Sequence, residues 1–274
     1  MTGPAEPLVM GVVNVTPDSF SDGGLWADPA RAAEHGRLLL AQGADLIDVG
    51  GESTRPGAER VSEAEELRRV VPVVAALTAG GATVSVDTMR ATVAAEAIAA
   101  GAAIVNDVSG GLADPAMPAV VAGAGVRLVV MHWRGHSHDM QTRAVYADVV
   151  AEVRSELAAR VDALTAAGVA REQLVVDPGF GFAKTAEHNW SLLRHLDDIA
   201  SLGLPVLVGT SRKTFLGRVG LAPGQDPRPP DQRDAGTVAT TVLAAQAGVW
   251  AVRVHDVPGT VAALGVVAET ASAP

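Results

Sequence analysis

The sequence predicts an α/β protein, a single (β/α)8 TIM barrel that takes residues 1–274 as one domain. Three observations predict it. Short apolar runs alternate with longer helical patterns eight times. The runs are continuous in hydrophobicity, as expected for parallel strands buried on both faces. Polar side chains follow the carboxyl ends of the runs, which is the end where such barrels build their sites. A doubly wound open sheet is the alternative fold.

The predicted strands are apolar runs of roughly five residues, a length typical of strands in globular proteins. They are Leu8–Val13, Asp45–Val49, Thr83–Val86, Ala103–Val105, Arg127–Met131, Gln173–Val176, Pro205–Val208 and Val249–Val254.

A predicted helix follows each strand, and several carry the usual start and stop signals. Asp28 with Pro29 opens one helix, and Gly43, Gly101 and Gly168 stand just past the ends of others. The helices are Pro29–Ala41, Ser62–Thr78, Ala91–Ala100, Pro115–Ala122, Tyr146–Ala167, Thr185–Ala200, Gln232–Ala247 and Pro258–Thr270.

Composition narrows the functional classes. The net charge of −10 argues against a nucleic-acid-binding surface, so an anionic ligand must be held by a local cluster of bases. The absence of cysteine excludes disulfides and a thiol nucleophile. The first residues, MTGPAEP, lack the basic and apolar regions of a signal peptide, and no segment approaches the ~18 apolar residues of a membrane span. We therefore expect a cytoplasmic protein without a membrane partner.

The polar residues at the strand ends form the candidate site. The richest stretch is LVVDPGFGFAK, Leu174–Lys184, in which a buried strand ends on a carboxylate followed by proline and two glycines. Helix caps alone would also enrich these loops in Asp, Asn and Ser, but they would not explain a lysine and an arginine at the last two strands. The residues are Asn14, Asp48, Asp87, Asn106, Asp107, His132, Asp177, Ser211, Lys213, Arg253 and His255.

These motifs together resemble the dihydropteroate synthases, the pterin-binding enzymes of folate synthesis that sulfonamides target. The resemblance covers about Met10 to Val267. It rests on eight segments in order: GVVNVTPDSFSDGG, DVGGESTRPGA, SVDTMR, NDVSGG, MHWRG, DPGFGFAKT, GTSRKTFLG and VRVHDV. It implies condensation of 6-hydroxymethyl-7,8-dihydropterin diphosphate with 4-aminobenzoate, which releases diphosphate and gives 7,8-dihydropteroate.

The resemblance also implies roles for individual residues. The pterin-binding positions are Asp87, Asn106, Asp177, Lys213 and Arg253. Carboxylates and an amide complement the donor and acceptor array of an amino-pyrimidine edge. The diphosphate positions are Asn14, Arg55, Arg253 and His255, and Asn14 is expected to contact a Mg²⁺ ion that borrows most of its oxygen ligands from substrate and water.

The aminobenzoate positions lie partly on two long loops, Thr16–Gly24 and Gly50–Glu59, which the resemblance implies close over the site. These positions are Ser53, Thr54, Arg55, Pro56, Phe182 and Ser211. Asp22, Arg55, Lys213 and Arg253 are the expected catalytic residues.

Alternatives remain open at this point. A catalytically silent paralogue would lack the loop residues or Lys213, and a pterin methyltransferase domain would lack SRK and TPDSFSDGG; the sequence has all of these. His132, His136 and His138 are close in sequence without a zinc-ligand spacing, so we expect no metal there. The resemblance further implies a homodimer.

Overall fold

The computed structural model describes residues 6–16, 28–52, 60–136, 139–222 and 224–273. It confirms the (β/α)8 barrel: eight parallel strands lie in the order β6-β5-β4-β3-β2-β1-β8-β7. The strands are β1 Leu8–Asn14, β2 Leu46–Gly50, β3 Thr83–Asp87, β4 Ile104–Asp107, β5 Arg127–Met131, β6 Leu174–Asp177, β7 Leu207–Val208 and β8 Ala251–Val254.

The sheet closes between β6 and β7. A parallel bridge joins Val176 to Val206, and the Val176 N–H donates to Pro205 O at 2.9 Å. Because Pro205 has no N–H to donate to β6, this pairing is shorter than the pairings between the other strands. The barrel is therefore nearly closed, with its shortest strand at the seam.

Nine helices in the described ranges cover the outside of the sheet. They are α1 Pro29–Ala41, α2 Glu63–Thr78, α3 Ala91–Ala99, α4 Met117–Ala124, α5 Val149–Ala166, α6 Ala186–Arg194, α7 Leu196–Ala200, α8 Asp234–Gln246 and α9 Val257–Ser272. Several begin at side-chain caps, as at Asp28, Ser62, Asp148, Thr185 and Asp256, whose oxygens accept from N–H groups of the first turn.

One predicted helix is divided in the structure. The segment predicted as Thr185–Ala200 forms α6 and α7, which meet at His195 with φ −119° and ψ 40°. Ser191 O accepts the His195 backbone N–H at 3.2 Å and also lies 2.8 Å from the His195 ring nitrogen Nδ1. The helical period continues through such a break, so hydrophobic spacing alone did not reveal it.

Side chains fill the barrel interior in layers, and these layers determine where along the strands the polar side chains lie. One apolar cluster takes a residue from seven of the strands: Met10, Leu46, Ile104, Val129, Val175, Leu207 and Ala251. Side chains in a strand repeat on the same face every second residue, so the next inward positions are Val12, Asp48, Asn106, Met131, Asp177, Gly209 and Arg253. An apolar layer thus supports a polar layer at the carboxyl ends of the strands.

The helices in the described ranges include none long and apolar enough to cross a membrane.

Candidate active site

The polar layer is centred on Arg253 of β8. Its Nε donates to Asp48 Oδ2 at 2.6 Å, and one terminal nitrogen donates to Asp87 Oδ2 at 3.0 Å. Asn106 Nδ2 donates to the same Asp48 oxygen at 3.0 Å. Two of the three guanidinium nitrogens are thereby committed, which fixes the plane of the Arg253 side chain across the barrel mouth.

Burial shifts the pKa of a carboxylate in this layer. Burial and the Asp48 carboxylate raise the pKa of Asp87 to about 7, while the guanidinium of Arg253 opposes that rise. Asp48 is fully buried, and its Oδ1 has no hydrogen-bond partner among the described residues. The arrangement can present Asp87 as an acceptor to a ligand edge that supplies its own N–H groups.

Asp177 ends β6 on the other side of the mouth. Its Oδ1 accepts the Gly179 N–H at 2.7 Å, and burial raises its pKa against that bond and the charge of Lys213. A methyl group at Gly209 would lie 4.0 Å from Asp177 Oδ2 and 3.9 Å from Cβ of Arg253. Glycine at 209 therefore leaves open the space between Asp177 and Arg253, which a flat ligand can enter.

Lys213 and Phe182 face each other beside Asp177. The ammonium nitrogen lies 4.1 Å from the centre of the Phe182 ring, a cation–π contact. Burial and then the charge of Arg253 lower the pKa of Lys213 to about 8, with Asp177 and Asp87 opposing the shift. Because about 8 still exceeds neutrality, Lys213 is mainly an ammonium at pH 7.

Ser211 and His255 form a second pair at the mouth. The Ser211 hydroxyl accepts the His255 N–H at 3.1 Å and lies 2.9 Å from the His255 ring nitrogen Nδ1. A hydroxyl that accepts from the backbone can donate to Nδ1, which leaves the ring proton on Nε2. His255 can then offer an N–H to an anion.

The turn that carries Ser211 and Lys213 is held from outside by Arg212. This residue has φ 58°, in the left-handed region, and its guanidinium makes two bonds to the Asp234 carboxylate at 2.7 and 2.8 Å. Its N–H donates to Thr237 Oγ1 at 3.1 Å. Because Arg212 binds α8, its neighbours 211 and 213 are turned toward the site.

Asn14 ends β1 and pairs with Gly50, whose own neighbour in the sheet is Asp87. The described residues contain no group of three or more His, Cys, Asp or Glu placed to hold a metal ion. An amide oxygen suits Mg²⁺, which keeps waters and takes oxygens from substrate phosphates, better than it suits zinc.

Several predicted site residues lie outside the described residues: Asp22, Ser53, Thr54, Arg55 and Pro56, and also His138 of the histidine cluster. The two loops assigned to closure, Thr16–Gly24 and Gly50–Glu59, lie largely outside them as well. Their assigned roles stay predictions.

The sequence placed Asp48 among the candidate-site residues without giving it an individual role, and it gave no role to Lys184, which the structure places beside Phe182. Asp48 binds Asn106 and Arg253 directly. Lys184 is 4% exposed and contacts Phe182 and His132. The available signals were the strand-end position of Asp48 and the presence of a basic residue at the end of DPGFGFAK.

Comparison with known proteins gives a consistent result. The family model described as pterin binding enzyme matches residues 10–255. The dihydropteroate synthase of Mycobacterium leprae is 55% identical over 264 residues, which is 96% of this chain and 93% of the relative.

Solved structures of dihydropteroate synthases superpose on this chain. Xanthomonas albilineans dihydropteroate synthase with 4-aminobenzoic acid superposes with a TM-score of 0.90 at 46% identity, over 98% of this chain and 95% of that one. The same enzyme in complex with 7,8-dihydropteroate gives a TM-score of 0.87 at 44% identity, over 98% and 95% of the chains.

Proposed function

This chain belongs to the pterin-binding enzyme family, and we propose that it is a transferase that performs the dihydropteroate synthase reaction. The amine of 4-aminobenzoate attacks the methylene carbon of 6-hydroxymethyl-7,8-dihydropterin diphosphate. The carbon–nitrogen bond forms, the carbon–oxygen bond breaks, diphosphate leaves, and the amine loses a proton. The observation that carries this proposal is the polar layer in which Asp87, Asn106 and Asp177 surround one opening beside Lys213 and Arg253.

Pterin recognition is assigned to Asp87, Asn106 and Asp177. An amino-pyrimidine edge offers N–H donors, and two buried carboxylates with one amide offer the complementary acceptors and donor. Glycine at 209 leaves space for the ring between Asp177 and Arg253. The guanidinium plane, fixed by Asp48 and Asp87, can stack on that ring.

Departure of the diphosphate is favoured by fixed positive charge. Cleavage leaves negative charge on the diphosphate and cationic character on the pterin methylene, so preorganised donors lower the barrier. His255, Arg253 and Arg55 are the assigned donors. Asn14 would hold Mg²⁺, which when bound neutralises part of the diphosphate charge.

The aminobenzoate ring is assigned to Phe182 and Ser211, with Ser53, Thr54, Arg55 and Pro56 of the second loop. Lys213, in contact with the Phe182 ring, lies where the two substrates would meet. Its role is that of a positioned charge and hydrogen-bond donor, since the arylamine is itself the nucleophile and leaves no group for the lysine to capture. Asp22 of the first loop completes the catalytic set.

An assay of diphosphate release tests the function. We expect release only when pterin diphosphate, 4-aminobenzoate and Mg²⁺ are all present, with 7,8-dihydropteroate formed in equal amount. Diphosphate release without the arylamine would indicate a hydrolase, and pterin binding without turnover would indicate a silent pterin-binding protein. Either outcome contradicts the proposal.

Three further features belong to the same proposal. Residues 1–274 form a single domain, the protein assembles as a homodimer, and it is located in the cytoplasm. Size-exclusion chromatography with light scattering would test the dimer directly.

A further inference from the structure

Lysine is used in this chain at only two places. Of the 21 basic residues, Lys184 and Lys213 are lysines and the other 19 are arginines. Lys213 is half-buried at the candidate site, and Lys184 is buried beside it at 4% exposure. A compact ammonium and a forked guanidinium are not interchangeable in a confined space. Both positions at which this chain has a compact ammonium therefore lie in or beside the candidate site.

The amine of Lys184 makes two defined contacts. Its Nζ donates to Phe182 O at 3.1 Å and to the ring nitrogen Nδ1 of His132 at 3.0 Å. On the far side of the ring, His132 Nε2 lies 2.9 Å from Glu156 Oε2, and Arg134 also binds that carboxylate. Burial and then the Lys184 charge lower the pKa of His132 to about 4. The ring is therefore neutral, accepts at Nδ1 and donates from Nε2.

The turn that Lys184 anchors, Asp177–Lys184, connects β6 to α6 and has unusual backbone geometry. Gly179 and Gly181 have φ of 70° and 76°, and Ala183, which is not a glycine, has φ 48°. A non-glycine residue in the left-handed region is strained and persists only where surrounding contacts impose it. The turn therefore depends on the groups that bind it.

Those groups come from several elements. Asn189 accepts the Gly181 N–H at 2.7 Å, and Gln141 donates to Gly181 O at 3.1 Å. The Tyr146 hydroxyl donates to Ala183 O at 3.0 Å. Lys184 donates to Phe182 O, and its nitrogen also makes a buried contact with His132 Nδ1. The charge of Asp177 opposes the lowering of the Lys184 pKa by burial. Among these groups, Lys184 is the one that binds Phe182 O directly.

We propose that Lys184 is a positioning residue for the reaction: by binding Phe182 O and His132 Nδ1, it holds the Asp177–Lys184 turn in the shape that presents Asp177 to the pterin and the Phe182 ring to the arylamine. The inference rests on the function proposed above. Lys184 acts through the turn, because its nitrogen binds Phe182 O in the turn and His132 Nδ1 beside it.

Steady-state kinetics of Lys184→Met test the proposal. Methionine has a similar length and fills the space, but it lacks the donor. We expect the KM for 4-aminobenzoate to rise about tenfold and kcat/KM to fall about ten- to hundredfold, the effect of losing one buried charged hydrogen bond. Gln141→Met is the matched control, because it removes an exposed donor to the same turn. It should stay within about twofold of the unsubstituted protein.

The pattern of change separates positioning from folding. A variant that is partly unfolded loses kcat with unchanged KM, whereas a displaced turn raises KM. We expect the Tm of Lys184→Met to stay within a few degrees, because removing a buried ammonium offsets the lost hydrogen bonds. Unchanged kcat/KM, or a fall in kcat alone, would overturn the proposal. Lys184→Arg should be impaired as well, and full activity in that variant would contradict the requirement for a compact ammonium.

A measurement on the unsubstituted protein keeps the test independent of variant folding. Lysine labelled with ¹³C at Cε gives two signals, which Lys213→Met assigns. We expect Lys184 to be as rigid as the backbone, with inequivalent ε protons, before and after substrates bind. A freely rotating Lys184 signal would exclude anchoring. If the unsubstituted protein fails to release diphosphate, the proposed function is wrong; if it is active and Lys184→Met matches it, only this inference is wrong.

Discussion

Asp177 illustrates how one hydrogen bond assigns the two oxygens of a carboxylate. Its Oδ1 is committed to the Gly179 N–H, and its Oδ2 faces the open space beside Gly209. An acceptor-only oxygen therefore points toward the place assigned to the pterin. Asp177 is buried, so a ligand that contacts Oδ2 displaces or excludes water there. A ligand group that cannot hydrogen-bond to Oδ2 would therefore weaken binding.

This assignment of the two oxygens predicts the effect of the substitution Asp177→Asn on pterin binding. The amide oxygen keeps the Gly179 bond, so the NH2 group takes the place of Oδ2 and opposes the N–H donors of the pterin. We expect the free energy of pterin binding to weaken by about 1 to 3 kcal/mol in calorimetry. Arg55→Ala should leave simple pterin binding nearly unchanged. Equal losses in the two variants would show that the roles are wrongly divided.

Substitutions of Lys213 test whether its size and its charge are both required. Its Cδ would lie 3.0 Å from a methyl group at Gly181, so the stem is already in a tight space. Lys213→Arg keeps the charge but adds a bulky fork, and we expect it to lose most activity through misplacement. Lys213→Met should lose still more because the charge is gone.

Mass spectrometry separates the possible roles of Lys213. If the lysine is a fixed charge, protein quenched during turnover carries no pterin adduct on residue 213. An adduct that forms and decays at the catalytic rate would establish covalent catalysis instead.

At the scale of elements, Asp48 links three strands. From β2 it binds Asn106 of β4 and Arg253 of β8, and Arg253 in turn binds Asp87 of β3. The residues assigned to pterin recognition are thus held by the Asp48 carboxylate, directly for Asn106 and through Arg253 for Asp87. Deleting one member of such a buried network leaves another charge without its partner, which is more damaging than losing a surface ion pair.

Asp48→Asn tests this linkage. We expect the free energy of unfolding to fall by about 3 kcal/mol or more, together with weaker pterin binding. Asp45→Asn is the matched control at the other end of the same strand, where the carboxylate accepts the Val9 N–H at 2.8 Å. It should cost about 1 kcal/mol and leave ligand binding unchanged. Loss of binding in both variants would indicate general damage to the barrel.

The elements also show what the sequence could predict. Continuous apolar runs such as Arg127–Met131 marked the strands because both faces are buried, and period-two geometry then placed Asp177 and Arg253 in one layer. The division of α6 from α7 at His195 was missed because it depends on a local bond to Ser191. The role of Lys184 was missed because its partner His132 is 52 residues away, and only the folded barrel joins them.

Across the whole molecule, Lys184 and Lys213 give stability an unusual dependence on pH. Burial lowers the pKa of Lys184 to about 7 and that of Lys213 to about 8. Asp177, Glu156, Arg134 and Lys213 are the charged groups that act on Lys184. In the unfolded chain, lysine holds its proton to about pH 10.4. Between those values the unfolded state binds more protons, so stability rises with pH.

Unfolding by urea at several pH values checks this prediction. The free energy of unfolding should increase from about pH 7 to about pH 9.5, by at most about 1.4 kcal/mol per pH unit for each lysine. Tyr146, whose pKa burial raises to about 12, opposes this increase above about pH 10, since the folded state then keeps the tyrosine proton that the unfolded state loses. Lys184→Met should flatten the increase. A stability that falls between pH 7 and 9.5 would contradict the lowered pKa values of the two lysines.

The last prediction concerns the order in which the two substrates bind. In the proposed site, the donors assigned to diphosphate, Arg253 and His255, share the barrel mouth with Phe182 and Ser211, and His255 is joined to Ser211 at 2.9 Å. Diphosphate and its Mg²⁺ ion would therefore complete the arylamine pocket from one side. Because coupling between two ligands is reciprocal, each should raise the affinity for the other.

Calorimetry with a sulfonamide in place of 4-aminobenzoate measures this coupling. We expect measurable binding only when Mg²⁺ and diphosphate are present, and removal of Mg²⁺ with a chelator should abolish it. Ser211→Ala should reduce the coupling, because the bond to His255 is lost, while pterin binding stays close to that of the unsubstituted protein. Equal sulfonamide affinity with and without diphosphate would mean that the arylamine pocket is complete in the free protein, and that the order of addition is set by access to the site alone.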